Sequence, residues 1–347
     1  MRLSGLRTKL IYPDDSYVTY AYDELGRLVK IEDDSSNTLA EYSYDELSRR
    51  TLLKLGSDVN DVNVVYVYDI ASHLTKITNN FDSNDTMVFE YTDFDDVGNR
   101  LSMKIDTDGN DAHVYEYDKL YQIISVDYND GNSTIYGYDK LGNRTDMNET
   151  GVVTNYNNNS LNQYTLVGGT SYSYDDNGNL TDVNDSNNVT KYYYDCENRL
   201  TDVNDPNENS IATYSYDYLG RRVSKTVSGT TTEYCYDGDQ VIAEYTGGGT
   251  LLRKFVYGPG IDEPICMIDV SDNNSVYYYH FDGLGNVRAL SDDNGDIVEG
   301  YTYDIFGECT VHTSAGNDGS WLTSDGTTAT VSAYDNPYLF TGRRYDD

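Results

Sequence analysis

Tyr136-Gly-Tyr138-Asp139-Lys-Leu-Gly142-Asn143-Arg144 carries the fold in nine residues. Tyr136 and Tyr138 are two apart, so in a strand they point to one face. Asp139 to Gly142 suits a tight turn. Asp at the first position bonds the backbone two residues on, and Gly at the fourth accepts positive φ. Asn143 and Arg144 then open a return strand. The reading is a β-hairpin.

Outward from this stretch the pattern recurs. Clear copies are Tyr20-Ala-Tyr22-Asp23-Glu-Leu-Gly26-Arg27-Leu28, Tyr172-Ser-Tyr174-Asp175-Asp-Asn-Gly178-Asn179-Leu180 and Tyr214-Ser-Tyr216-Asp217-Tyr-Leu-Gly220-Arg221-Arg222. Tyr44, Tyr68, Tyr117, Tyr194, Tyr236 and Tyr303 mark further copies, and Phe94 and Phe281 replace the second Tyr in two more. Degenerate copies sit near Asn158 and Tyr257. The second aromatic positions thus fall into fourteen units, spaced 16 to 26 residues apart. Two strands of about six residues and two turns of about four account for that period. Second turns follow at Glu32-Asp-Asp-Ser-Ser36, Asp106-Thr-Asp-Gly-Asn110, Asp185-Ser-Asn-Asn188 and Asp293-Asn-Gly-Asp296.

One feature of the return strand admits two readings. Leu28 and Ile31 are three apart and have opposite parity, and Leu74 and Ile77 repeat this. Either a bulge follows the turn glycine or both faces are partly apolar.

Composition agrees with the hairpin reading. The 347 residues include 37 Tyr and 29 Gly, and Asn, Asp, Ser and Thr fill the gaps. The expected fold class is all-β, a long antiparallel β-hairpin repeat array. Stacked, the units give roughly 28 strands, or roughly 130 Å of sheet at about 4.8 Å per strand. Open twisted sheets rarely exceed about ten strands, so this one is expected to wind into a spiral, cocoon-like shell.

The net charge of −35 repels phosphate backbones, which argues against nucleic acid as a partner. No run of roughly 18 apolar residues supports a membrane span. Met1 to Leu10 lacks the apolar core of a signal peptide. Cys196, Cys235, Cys266 and Cys309 form no C-x-x-C pair, so they read as isolated small core residues.

Candidate chemistry is thin. Asp106-Thr-Asp108-Gly-Asn110-Asp111 begins like a calcium loop but has Asp111 and Tyr117 where Gly and Glu are needed. Asp292 to Asp296 fails in the same way. His73, His113, His280 and His312 are scattered and read as packing residues. Gly247-Gly-Gly249 lacks the Lys and Ser or Thr of a phosphate loop. No catalytic, cofactor or metal residue is assigned, and the chain reads as a structural protein, not an enzyme, with a self-cleaving protease fragment as the second alternative after a binding module.

The Tyr-Asp repeat resembles that of bacterial Rhs proteins, the C component of insecticidal toxin complexes and the animal teneurins. Three C-terminal stretches resemble the Rhs repeat-associated core. They are Tyr279-His-Phe-Asp282-Gly-Leu-Gly285-Asn-Val-Arg288-Ala-Leu290, Asn294 through Tyr303-Asp304-Ile-Phe-Gly307, and Asn336-Pro337-Tyr-Leu-Phe340-Thr-Gly342-Arg343-Arg-Tyr345. The resemblance divides the chain into a repeat array over 1–276 and a core region over 277–347. A Gly/Ser/Thr-rich insertion at 313–333 reads as a surface loop.

The resemblance implies a hollow β-shell that encloses or presents a C-terminal effector polypeptide. The family's self-cleavage acids and toxin junction lie beyond the equivalent of Asp347, so an incomplete wall without self-cleavage is expected. Implied partners are further repeats or core segments of a parent protein, the effector, or a glycan or cell-surface protein held on exposed Tyr rows. A secreted or cell-surface setting is likewise implied.

Overall fold

The computed structural model describes residues 5–56, 62–81, 85–106, 111–128, 131–186, 188–317, 319–323 and 325–346. Thirty strands and one short 3-10 helix, Phe340–Gly342, make up its regular structure. The strands pair antiparallel with their sequence neighbours and, among the described residues, the ladder does not close on itself. The all-β hairpin array expected from the sequence is therefore present.

Each Tyr-Asp unit is one hairpin. Tyr17–Tyr22 pairs with Leu28–Asp33, Ser133–Tyr138 with Arg144–Glu149, and Ser210–Tyr216 with Arg222–Val227. The register explains the parity problem. Ala21 faces Lys30 and Tyr22 faces Leu28, so one extra residue bulges after the turn. Leu28 and Ile31 thereby share the buried face despite their odd spacing, at 4% and 0% exposure. The same shift occurs at Val67/Tyr68, Gly137/Tyr138, Ser173/Tyr174 and Ser215/Tyr216. The hairpin of Ile297–Tyr303 with Cys309–His312 lacks it and pairs regularly.

The chain forms two compact units, Met1–Ala112 with Arg253–Asp347, and His113–Leu252. In the first unit, N-terminal hairpins pack against C-terminal ones. Tyr12 donates its hydroxyl to the Phe255 carbonyl at 2.9 Å, and Lys254 reaches Asp14 at 3.0 Å. Gly283 donates its amide to the Tyr91 hydroxyl at 2.6 Å, while Arg100 donates to the Gly283 carbonyl at 2.7 Å. Between these contacts lie Ile31, Leu53, Ile77, Phe89, Phe255, Ile265, Met267 and Leu290, all fully buried. Burying each such side chain contributes about 1.5–3 kcal/mol, and this two-layer core anchors the unit.

The second unit is built differently. Val126, Tyr136, Val203, Ala212 and the run from Val241 to Glu244 are buried, but most of its Tyr rings are only half-buried. Tight two-residue turns join several of its strands. Val227 pairs with Thr230 around Ser228 and Gly229, both at positive φ, as a twisted hairpin requires.

Candidate functional site

The repeated turn is a carboxylate-centred knot. Asp139 Oδ1 accepts the amides of Leu141 and Asn143 at 2.8 and 3.0 Å, and Oδ2 accepts the Asn143 side-chain amide at 2.8 Å. Asp23 does the same with Leu25 and Arg27, and Arg27 Nε closes the knot at 2.6 Å. Asp175 and Asp217 repeat it with Asn179 and Arg221. Hydrogen bonds from Asn143 hold the Asp139 carboxyl below its ordinary range, and those from the Arg27 amide do so for Asp23. Gly26, Gly142, Gly178 and Gly220 all adopt the left-handed conformation the turn needs.

Successive knots are tied together. Arg27 lies over the Tyr44 ring at 4.7 Å and donates to the Asp45 carbonyl at 3.3 Å. Arg49 over Tyr68, Arg199 over Tyr216 and Arg221 over Tyr236 repeat the stack. The second Tyr of a unit then reaches back. Tyr44 donates to the Leu28 carbonyl, Tyr138 to Ile123, Tyr174 to Tyr164 and Tyr216 to Leu200, all at 2.7–2.8 Å. Each acceptor lies beside the bulge of the preceding unit, where the ladder is interrupted. Tyr303 caps the Val287 carbonyl in the same way, and Tyr22 caps the Arg7 carbonyl.

A second arginine, at the first return-strand position, sits between Tyr rings of adjacent units. Arg144 lies 5.3 and 5.0 Å from the Tyr136 and Tyr156 rings, and Arg222 lies 5.3 and 5.4 Å from Tyr214 and Tyr234. Each such contact contributes about 0.5–2 kcal/mol, more as it is desolvated. In the first unit Arg50 occupies this position between Tyr42 and Tyr66 and pairs with Glu263 at 2.5 Å. Sequence reasoning assigned these arginines no stacking role, although their recurrence at 50, 100, 144 and 222 was a usable signal.

The C-terminal motif converges on Asn336. Its Oδ1 accepts the Tyr279 hydroxyl at 3.0 Å, and its Nδ2 donates to the Tyr301 hydroxyl at 2.9 Å and the Tyr338 carbonyl at 3.0 Å. Glu299, fully buried, accepts from Ser332 Oγ at 2.5 Å, from the Ala333 amide at 2.8 Å and from the Tyr301 hydroxyl. Tyr338 meets Phe255, Tyr257 and Tyr279 edge-on at 5.1–6.1 Å. Gly342 allows a close crossing, because a Cβ there would stand 2.0 Å from the Asp262 carbonyl oxygen. Phe340 packs on Tyr303 at 5.7 Å and on Gly307. Pro337 accepts the Tyr345 amide at 2.7 Å, and Arg343 lies 3.5 Å from Asp262.

Asp282 knots its own turn with Asn286, and buried Arg288 lies 3.9 Å from its carboxylate and 5.2 Å over the Phe89 ring. Asp304 holds the turn before Gly307. Residues 313–333 include the short strand Thr328–Ala329, paired with Cys309–His312, and bury Leu322 against Gly300.

Of the four cysteines expected in the core, only Cys266 is buried, and Cys196 is exposed because it sits at the second position of a repeat turn. Asp292 to Asp296 folds as the same carboxylate-capped turn. His280 is fully buried, packs on Phe81 at 4.5 Å and bonds Ser291 at 2.9 Å. Burial lowers its pKa to about 3. The calcium-like stretch between Asp106 and Asp111 lies outside the described residues. Among the described residues no group of three His, Cys, Asp or Glu converges to hold a metal. No helix among them is long and apolar enough to cross a membrane.

Comparison with known proteins places the chain in a family. The sequence model of the family described as Teneurin YD-shell matches residues 60–318. The tRNA3(Ser)-specific nuclease WapA of Bacillus spizizenii is 29% identical over 237 residues, 67% of this chain and 9% of that protein. The tRNA nuclease WapA of Bacillus subtilis strain 168 matches to the same extent. The chain thus spans less than a tenth of these relatives. Among solved structures, TcdB2-TccC3-Cdc42 is 17% identical with a TM-score of 0.56, covering 96% of this chain and 19% of that one. TcdB2-TccC3 is 16% identical with a TM-score of 0.53, covering 96% and 20%. At such identity the likeness is one of fold.

Proposed function

This chain belongs to the Teneurin YD-shell family, and from that premise we propose that it is one stretch of wall in a larger protein whose shell encloses or presents a C-terminal effector. The module itself is structural. The observation that carries the reading is the knot-and-staple relay. Asp ties the turn, Arg ties turn to turn, and a Tyr hydroxyl ties strand to strand, as from Tyr44 to Leu28. These recurring Asp, Arg and Tyr groups hold neighbouring hairpins in register, which suits a wall. The effector, a secreted or cell-surface setting, and the division at 276/277 between array and core belong to this proposal. So do the repeat positions from Tyr20 to Gly220 and the core positions from Tyr279 to Arg343 as the residues that build the wall.

A second reading, adhesion to a glycan or a cell-surface protein, is favoured by Tyr121 and Tyr218, whose rings stand 59% and 91% exposed. The two are separated by protease protection in the full-length parent protein. A C-terminal segment enclosed by the wall resists digestion until the shell is unfolded. Digestion of that segment at the same rate with and without the shell would remove the enclosure reading. Glycan-array binding abolished by Tyr218→Ala would then support the second.

A further inference from the structure

Four consecutive repeat turns in the first unit end in exposed apolar side chains. Leu25, Leu47 and Val97 hold the third turn position at 71%, 69% and 61% exposure, and Ile70 holds the second at 106%. Side chains so exposed add little to the core. Scattered singly, exposed apolar residues need no explanation, whereas a row of them marks a contact surface. The internal repeats act as their own comparison. The second turn position has drifted through Glu24, Glu46, Ile70, Asp96, Lys119 and Lys140, while the third is apolar again at Leu120, Leu141, Leu161 and Leu219 and turns polar at Asn177 and Glu197 in the later repeats of the array.

The row is held at fixed spacing. Arg27 Nη1 bonds the Asp45 carbonyl and Ser48 Oγ of the next turn, and Arg49 Nη1 bonds Asp69 and Ser72 of the one after. His73 stacks on Phe94 at 4.5 Å to fix the fourth. Tips two strands apart stand about 9.6 Å from one another, so four span about 29 Å. Residues seven apart on a helix are about 10.5 Å apart, and about 20 residues cover the row. Exposed Glu24, Glu46 and Asp96 flank the tips. The arginines of the first two turns are bound to Asp23 and Asp45. The rim therefore offers apolar tips set among carboxylates.

We propose that this rim docks a basic amphipathic helix of another polypeptide, with an apolar residue at each seventh position seated between turn tips and lysines or arginines facing Glu24, Glu46 and Asp96. The test uses the whole chain and a synthetic 21-residue helix, Lys-rich with heptad-spaced Leu, followed by fluorescence anisotropy. Controls are a peptide with its Leu positions permuted and one with Glu for Lys. Wild-type protein is expected to bind the heptad peptide at least tenfold more tightly than either control. Leu25→Ser/Leu47→Ser/Ile70→Ser/Val97→Ser is expected to lose at least tenfold in affinity with an unchanged melting temperature. Glu24→Lys/Glu46→Lys/Asp96→Lys is expected to weaken binding and abolish its salt dependence. If the quadruple variant does not fold, Leu47→Ser and Val97→Ser alone are each expected to lose about threefold. Equal affinity of wild type and the serine variants, equal binding of the permuted peptide, or wild-type self-association relieved by the serine substitutions would each overturn the proposal. The last would assign the rim to a second copy of the chain.

Discussion

Tyr44 donates its hydroxyl to the carbonyl oxygen of Leu28 at 2.7 Å, bonding one hairpin to the bulge of the hairpin before it. The bulge interrupts the ladder, and a carbonyl left without its partner costs about 1–3 kcal/mol when buried. The hydroxyl of the following repeat supplies the missing donor. This accounts for tyrosine, where phenylalanine would give the same ring.

Removing that donor gives the first test. Tyr216→Phe keeps the ring under Arg199 but deletes the 2.7 Å bond to the Leu200 carbonyl. A loss of about 1 kcal/mol is expected, read as a lower denaturation midpoint at unchanged slope. Tyr216→Ala should cost about 3 kcal/mol, because the packed ring goes too. Identical midpoints for wild type and Tyr216→Phe would mean the hydroxyl is idle.

Arg50 and Glu263 form a largely buried pair at 2.5 Å, with Arg50 also between the Tyr42 and Tyr66 rings. Breaking it from one side strands a charge. Arg50→Met is expected to destabilise by about 3 kcal/mol, and Arg50→Met/Glu263→Leu by clearly less. Additive losses in the thermal-unfolding cycle would show that the two residues do not act as a pair.

Acid sensitivity should trace partly to His280. Burial holds its folded pKa at about 3, against about 6.5 for an exposed imidazole. The folded state keeps the ring neutral while the unfolded state takes up a proton below about pH 6.5. Stability is therefore full above that pH and declines as pH falls toward 3, by up to about 1.4 kcal/mol per unit. His280→Gln should lose stability at pH 8 yet show a shallower decline to pH 5. A wild-type-to-variant difference that is the same at both pH values would exclude the ring as the source.

Tyr121 stands where other turns place Gly26 or Gly142, and it holds φ at +64° with its ring exposed. A left-handed conformation costs an ordinary residue about 1–2 kcal/mol, which glycine avoids at some cost in chain entropy. Tyr121→Gly is expected to stabilise the second unit by about 0.5 kcal/mol, raising the melting temperature. A lower one would show that the ring contributes contacts its exposure does not suggest.

The sequence by itself determined the hairpins. Tyr at i and i+2, Asp closing the strand and Gly three residues later are local signals. The turn they specify is held by bonds within five residues, as from Asp139 to Asn143. Fourteen repetitions then made the sheet unavoidable. Tertiary structure decided what no local signal encodes. The odd spacing of Leu28 and Ile31 admitted two readings until the register with Tyr20 and Tyr22 placed the bulge. The arginines at 50, 144 and 222 had no partner legible in the repeat until neighbouring units brought Tyr rings to both sides. Asn336 gave no sign of its place between Tyr279 and Tyr301. Pairing of Arg50 with Glu263 joins residues more than two hundred positions apart, a separation over which periodicity carries no information. Turns are written in the chain because their energy is local, whereas the packing of one hairpin on another depends on which faces meet, and only the folded chain sets that.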